Sequence, residues 1–150
     1  HTPTRTPTSE ATNLAINRPV TVSSFEDASH TGAMAVDENL TTYWQSERIS
    51  GQNPLPAEWM VVDLDEIATL ERIVLEWNRY YATSYAIQVS QDLENWSTVY
   101  TTAAGDGGND GVPIGPISAR YVKLNSTAWD NRFWRCWLNE FQIFGVYNSY

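Results

Sequence analysis

Cysteine and lysine are almost absent from this sequence. Its 150 residues contain one cysteine, Cys136, and one lysine, Lys123. A single cysteine excludes an internal disulfide, and since no histidine or second cysteine lies close by, we expect Cys136 to be a buried, small apolar side chain. No apolar run reaches the length of a membrane span. The net charge of −9 disfavours nucleic acid and anionic membrane surfaces as partners.

Aromatic residues, by contrast, are abundant. They make up 13% of the chain, with seven Trp and eight Tyr. A chain of this length forms one ordinary domain with a real hydrophobic core. That core does not need so many rings with hydrogen-bonding edges, so we expect some of them to face a ligand.

The first twelve residues have the composition of a linker. The unit Thr-Pro-Thr occurs twice, and no apolar periodicity accompanies it. We therefore predict a Pro/Thr-rich linker over 1–12 and a folded module over 13–150. Such spacers commonly join the parts of secreted polysaccharide-degrading enzymes, so we expect an extracellular protein in which this module is attached to a catalytic module.

Short segments with alternating apolar and polar residues follow one another between turn signals, which is typical of antiparallel β-structure. One or two helical turns fit between Ala28 and Val36, and the glycine-rich segment Gly105–Gly111 is predicted to be a solvated loop. The predicted strands are Val20–Ser24, Trp59–Leu64, Ile73–Trp77, Tyr85–Ser90, Trp96–Thr101, Arg120–Asn125 and Leu138–Phe144.

Oxygen-bearing side chains suggest a site for a hard cation. Asp37, Asn39 and Thr42 lie within six residues, and Glu140 provides a second segment about a hundred residues later. Calcium takes six to eight oxygens from carboxylates, amides, hydroxyls and carbonyls, so this spacing predicts a structural calcium site. The alternative is that the three residues of the first segment only cap a turn.

Nine short motifs, in their order and spacing, carry a family resemblance. They are Asn13–Ala15, Val22–Glu26, Ala35–Asn39, Thr42–Ser46, Trp59–Leu64, Tyr85–Asp92, Asn95–Trp96, Arg120–Leu124 and Glu140–Gly145. This set resembles the discoidin, or coagulation factor 5/8 type C, domains. Within that superfamily the chain looks most like carbohydrate-binding module family 32.

The resemblance implies an all-β fold, a jelly-roll-like sandwich of two antiparallel sheets with eight strands. It also implies a structural calcium held by Asp37, Asn39, Thr42 and Glu140 together with the main-chain carbonyls of Met34 and Asn139. Such a module is expected to be monomeric, to have no catalytic residues and to bind an oligosaccharide or polysaccharide through loops at one end of the sandwich.

The sugar site is predicted from the chemistry of pyranose recognition, which needs an exposed aromatic plane and groups that hydrogen-bond hydroxyls. The segment Trp129–Arg135 supplies both, and at least one of Trp129, Phe133 and Trp134 should be exposed. The five other Trp residues lie in or beside strands and are predicted to be structural. The candidate ligand-binding residues are Glu26, Gln45, Glu47, Arg48, Asn78, Arg79, Tyr80, Trp129, Arg132, Phe133 and Trp134.

The nature of the glycan stays open at the sequence level. Galactose-binding relatives usually carry a His directly after the Trp, where this chain has Gln45, which argues against a simple galactose specificity. The ligand could be a β-glucan, a galactoside-containing glycan or an amino-sugar polymer such as chitosan, whose protonated amines would suit Glu26 and Glu47.

Two other classes of function fit the sequence less well. A glycosidase could use Glu26 and Glu47 as its carboxylate pair, but no complete set of nucleophile, base and orienting group is visible. An adhesion domain binding protein or membrane usually carries a cysteine pair and basic or apolar loop tips, whereas this chain is acidic with a lone Cys136.

Overall fold

The computed structural model describes residues 10–148 and contains eight β-strands and one short 3-10 turn, Gly32–Ala35. The strands are β1 Thr12–Asn13, β2 Val20–Val22, β3 Trp44–Gln45, β4 Glu58–Trp77, β5 Ala82–Ser90, β6 Ser97–Thr102, β7 Asn109–Trp129 and β8 Trp137–Tyr147. All pairings are antiparallel. The predicted all-β class is confirmed. Within the described range, no helix is long and apolar enough to cross a membrane.

Two long strands, β4 and β7, each contribute to both layers of a sandwich. Residues 58–63 of β4 pair with 121–126 of β7, and β2, β5 and β6 complete that layer. Residues 68–77 of β4 pair with β8 on one side and with 109–119 of β7 on the other. The register breaks between Asp63 and Ala68, where Asp65 has a φ of 76°. This bulge lets one strand bend from one layer into the next.

Both ends of β4 therefore lie at the same end of the sandwich. Glu58, its first residue, pairs with Arg135, and Tyr80, just beyond its last residue, accepts a hydrogen bond from the amide of Trp137 at 2.9 Å. The segment 131–137 thus contacts both termini of the strand. The loops that precede or follow β2, β3, β4 and β8 converge at this end, which we call the loop end.

The core follows from strict alternation along the strands. In the first half of β4, Met60, Val62 and Leu64 are completely buried, whereas Trp59, Val61 and Asp63 are only partly covered. Inward residues from both layers form one continuous cluster that includes Ile87 and Phe141. The buried face predicted for β5, with Tyr85, Ile87 and Val89 on one side, is the observed one.

Several predicted elements differ in extent from the observed ones. The two strands predicted at Trp59–Leu64 and Ile73–Trp77 are a single bent strand, because pairing with β7 and β8 resumes at Ala68, directly after the bulge. The loop predicted over Gly105–Gly111 is shorter, since β7 already begins at Asn109. The two-residue strands β1 and β3 were not predicted.

The linker prediction falls mostly on residues 1–9, which lie outside the described residues. Within the described range, Thr12 pairs with Gly145. The sandwich therefore begins one residue earlier than the predicted boundary.

Candidate functional site

Five aromatic rings make direct contact at the loop end and form what we call the aromatic cluster: Tyr43, Tyr80, Phe133, Trp134 and Trp137. Trp137 lies at its centre, stacked on Tyr43 at 5.0 Å between centroids and edge-on to Tyr80 at 4.8 Å. Trp134 stacks on Tyr80 at 5.7 Å with only 15° between the ring planes. Phe133 meets Trp134 edge-on at 5.1 Å and is 40% exposed. The cluster thus presents aromatic surface to solvent.

An ion pair borders this cluster. The guanidinium of Arg48 contacts Oε1 of Glu26 at 2.7 Å, and the amide of Arg48 donates to Oε2 of the same carboxylate at 2.8 Å. The Arg48 guanidinium carbon also lies 5.3 Å from the Trp134 ring centroid and 5.8 Å from that of Phe133. The hydrogen bond from the Arg48 amide lowers the pKa of Glu26 below 4.5. Glu26 is therefore a carboxylate at neutral pH, held against the rings through Arg48.

On the opposite side of the cluster, the segment after β4 contributes polar groups. Asn78 is anchored by its amide, which donates to the carbonyl of Trp137 at 2.7 Å, and its side-chain oxygen accepts from the amide of Arg79 at 2.7 Å. The Arg79 guanidinium lies 5.3 Å from the ring of Tyr80. Exposed guanidinium groups on both flanks of the rings, from Arg48 and Arg79, are available to hydrogen-bond sugar hydroxyls.

Two other predicted residues sit at the periphery. Glu47 is exposed, and its amide donates to the hydroxyl of Ser24 at 2.9 Å. Arg132 is exposed and lines a cleft of about 230 Å³ together with Leu55 and Phe133. The structure therefore brings Glu26, Arg48, Asn78, Arg79, Tyr80, Phe133 and Trp134 together, with Glu47 and Arg132 at the margin.

The structure places two of the predicted ligand-binding residues largely in the interior. Trp129 is only 9% exposed, and its indole N–H donates to Sγ of Cys136 at 3.1 Å in the interior. Trp129 ends β7 on an inward-facing position, so its ring is structural. Gln45 is 5% exposed because it belongs to β3, paired with Trp137, and its backbone is bonded to Glu26 and His30.

Sequence reasoning missed two rings of the cluster, Tyr43 and Trp137. Its place at the start of a strand predicts a structural role for Trp137, yet the residue is only partly buried. No local signal identifies them, because their position follows from strand pairing: Trp44 and Leu138 are register partners and both fully buried. Their neighbours Tyr43 and Trp137 must therefore point to the opposite side, which here is the loop end.

The predicted cation site is assembled around the hydroxyl of Thr42. Its Oγ1 lies 2.6 Å from Oδ2 of Asp37, 3.0 Å from the carbonyl of Asn39 and 3.3 Å from that of Met34. The side-chain amide of Asn139 donates to the carbonyls of Leu40 and Thr42 at 2.8 and 2.9 Å, which fastens this loop to β8. Five predicted metal residues thus lie in one place.

Glu140 completes this arrangement and is 1% exposed. Neither carboxylate oxygen has a hydrogen-bond partner, although the amides of Asp37 and Glu38 are close enough to offset part of the cost. Burial, with a further contribution from Asp37, raises the pKa of Glu140 to about 8. A buried carboxylate without a partner is costly, and a bound cation would remove that cost, so these residues fit calcium.

The side chain of Asn39 behaves differently from its prediction. Its Oδ1 accepts from the amide and the hydroxyl of Thr41 at 2.9 and 2.6 Å, which is the turn-capping alternative. The main-chain carbonyl oxygen of Asn39, and not its side-chain oxygen, is the atom that lies beside the Thr42 hydroxyl. Within residues 10–148, no three His, Cys, Asp or Glu side chains are placed to share a metal. A cation here would depend on two carboxylates plus hydroxyl and carbonyl oxygens.

The chain is similar to one known domain family and to several solved structures. The sequence profile of the F5/8 type C domain matches residues 19–141. No curated protein sequence matches the chain at a significant level. Among solved structures, chitosan-binding module 1 of the chitosanase/glucanase from Paenibacillus sp. IK-5 is 38% identical, with 89% of this chain and 98% of that one covered and a TM-score of 0.81.

Two further structures are similar. Chitosan-binding module 2 of the same Paenibacillus enzyme, solved in complex with chitotriose, is 35% identical over 87% of this chain and 98% of that one, with a TM-score of 0.79. The module CBM32-3 from a family 31 glycoside hydrolase of Clostridium perfringens is 21% identical over 90% and 94%, with a TM-score of 0.73. The last of these shows the fold alone.

Proposed function

The chain belongs to the F5/8 type C domain family as a carbohydrate-binding module, and we propose that it binds glucosamine oligosaccharides of the chitosan type at the aromatic cluster. The observation that carries this proposal is the Glu26 carboxylate, kept ionised at the border of an open aromatic surface. Similarity to two chitosan-binding modules supports it.

The cluster has the parts that an amino sugar requires. The nearly parallel rings of Tyr80 and Trp134 offer apolar surface on which the CH face of a pyranose packs. A protonated amine is attracted to the carboxylates of Glu26 and Glu47, while Arg48 and Arg79 donate to hydroxyls. The surface is open, so much of the ligand stays in water, and dissociation constants of about 0.1 to 1 mM are expected for short oligosaccharides.

The state of Glu26 supports binding without catalysis. A glycosidase general acid needs a carboxyl whose pKa is raised so that it keeps its proton near neutral pH. The pKa of Glu26 is lowered and both of its oxygens are bonded to Arg48. A carboxylate held ionised in this way does not suit proton donation.

In the parent protein, we propose that this module is monomeric and secreted, and that it holds an attached catalytic module against its polysaccharide. Tethering raises the effective concentration of the enzyme at the substrate even when each binding event is weak. The Pro/Thr-rich composition of residues 1–12 is consistent with a spacer to such a module.

We also propose a structural calcium held by Asp37, Thr42 and Glu140 with the carbonyls of Met34 and Asn39. The ion would supply positive charge to two facing carboxylates. The protein itself holds the 37–42 loop against β8, because the side-chain amide of Asn139 donates to the carbonyls of Leu40 and Thr42.

A calorimetric titration with glucosamine trisaccharide and with its fully N-acetylated counterpart tests the ligand assignment. We expect tighter binding of the glucosamine form, weakening from low to high salt because the Debye length falls from about 30 Å at ~0.01 M to about 3 Å at ~1 M. Glu26→Gln should lower that affinity, whereas Glu94→Gln, an exposed acid on a distant turn, should not. Equal affinity for both sugars at both salt concentrations would contradict the proposal.

A further inference from the structure

A buried ion pair lies beneath the loop end. The side chain of Arg135 is 0% exposed and that of Glu58 is 2% exposed. One guanidinium nitrogen, Nη2, contacts both Oε2 of Glu58 and the main-chain carbonyl of Glu47. The other oxygen, Oε1, accepts hydrogen bonds from the hydroxyls of Ser23 and Ser24 at 2.6 and 2.7 Å. The pair therefore joins four segments that are far apart in sequence.

Three of the four joined segments carry a group of the proposed sugar site within two residues. Ser24 is followed by Glu26, Glu47 by Arg48, and Arg135 is preceded by Trp134. The hydroxyl of Ser24 also accepts from the amide of Glu47 at 2.9 Å, so the first two segments are linked to each other as well. A rotation of any of these loops would therefore move a ligand-facing side chain.

Stability does not account for this pair. Removing two charges from water costs more than their attraction returns in many proteins, and apolar residues of similar volume often stabilise the same position better. Here Nε and Nη1 of Arg135 are buried without a hydrogen-bond partner, which adds to the cost. Arg135 also has a φ of 52°, in the left-handed region that non-glycine residues rarely adopt.

We propose that Glu58 and Arg135 are positioning residues, which hold the loops bearing Glu26, Arg48 and Trp134 in their binding arrangement without touching the ligand. This inference rests on the proposed sugar site. A charged, directional pair specifies distances and angles that an apolar contact of equal volume leaves free. The pair therefore serves the geometry of the site more than the stability of the fold.

The test compares single and double substitutions. Glu58→Met or Arg135→Met alone leaves a buried charge without its partner, so the melting temperature should fall sharply. In the double variant E58M/R135M both charges are gone, the half-buried Ser23 and Ser24 hydroxyls can reach water, and the melting temperature should recover. Its affinity for glucosamine trisaccharide should nevertheless drop about 10- to 100-fold, the size of effect known for outer-shell partners of metal ligands.

A matched control exists on the same strand. Asp63 lies on β4 just before the bulge, away from the loop end. Two nitrogens of Arg120 donate to its two carboxylate oxygens at 2.9 and 3.1 Å. The double variant D63N/R120Q should keep parental affinity. If E58M/R135M binds as tightly as the parent, the pair is only structural and the inference is wrong.

If the double variant fails to fold, Ser24→Ala provides a second test of the positioning role. It removes the hydroxyl contacts to Glu58 and to the Glu47 amide and leaves the ion pair intact. We expect weaker binding at a nearly unchanged melting temperature, and parental affinity would overturn the inference.

Amide hydrogen exchange separates this inference from the proposed function. The Arg48 amide, which donates to Glu26, should lose protection in E58M/R135M, and the Trp77 amide, bonded to the Gly108 carbonyl at 2.8 Å away from the pair, should not. If the parent binds no amino sugar but Arg48 protection is lost, the ligand assignment fails while the positioning role stands. Unchanged protection at Arg48 would contradict the positioning role itself.

Discussion

The indole N–H of Trp129 donates to Sγ of Cys136 at 3.1 Å, and the two side chains are 9% and 0% exposed. Trp129 also lies under the Arg135 guanidinium, 5.7 Å from the ring centroid. The ring thus belongs to the support of the loop end. Trp134, five residues later, belongs to its surface.

This difference predicts opposite behaviour for two tryptophan substitutions. Trp129→Ala removes a buried ring and should destabilise the fold by about 3–5 kcal/mol. Trp134→Ala should abolish or greatly weaken retention on a chitosan affinity gel with little change in melting temperature, because its ring is partly exposed. Thermal melts and gel retention of both variants measure the two effects, with Trp96→Ala as a control away from the cluster. Parental retention of Trp134→Ala would contradict the assignment.

Cys136 should be unreactive in the folded protein. Burial raises the pKa of its thiol to about 12, so the nucleophilic thiolate is scarce at neutral pH and reagents have no access to it. We expect a thiol-specific reagent to label the protein only after denaturant is added. Labelling of the native protein at the rate of a free thiol would show that the loop end opens readily.

Calcium should raise the melting temperature. An ion that binds only the folded state adds about 2.7 kcal/mol when its concentration is a hundredfold above its dissociation constant. Excess chelator followed by dialysis should therefore lower the melting temperature, and added calcium should restore it. Glu140→Gln is the companion variant: it removes one proposed carboxylate ligand, and its melting temperature should respond little to calcium. A parental melting curve that is the same with chelator and with calcium would rule the site out.

The Asp63–Arg120 pair predicts a component of acid sensitivity. The hydrogen bonds from Arg120 lower the pKa of Asp63 below 3.8 in the folded state. Because the pKa of Asp63 is lower in the folded state than in the unfolded state, ionised Asp63 stabilises the fold at pH values above its unfolded pKa. This stabilisation is lost as the pH falls through the pKa of the folded state. Asp63→Asn should thus be less stable than the parent at pH 6, and the gap should close towards pH 2. Melting temperatures across this range measure it; a constant gap would exclude linkage through Asp63.

Much of the fold can be read from local patterns. The alternation of Tyr85, Ile87 and Val89 predicts a strand with one buried face, and that face is observed. The concentration of Trp, Phe, Asn and Arg after residue 128 predicts a ligand-binding loop there. The sequence also predicts that Asp37, Thr42 and Glu140 lie close together, and in the structure they do. The strand prediction succeeds because periodicity is a property of neighbouring residues.

Other features depend on contacts that no local pattern encodes. Glu58 and Arg135 are 77 residues apart, and each taken alone reads as an ordinary surface charge. The bend of β4, which returns both of its ends to the loop end, follows from pairing with β7 and β8 and not from its own residues.

What the sequence by itself determines is therefore the β class, the acidic charge, the aromatic content and the segments from which a site is built. The tertiary structure decides which rings reach the surface at the loop end. Adjacent positions of a strand point to opposite sides, so whether Trp129 or Trp137 reaches solvent depends on which side the second layer covers. In this fold the second layer covers Trp129, which is buried against Cys136, whereas Trp137 lies at the centre of the aromatic cluster.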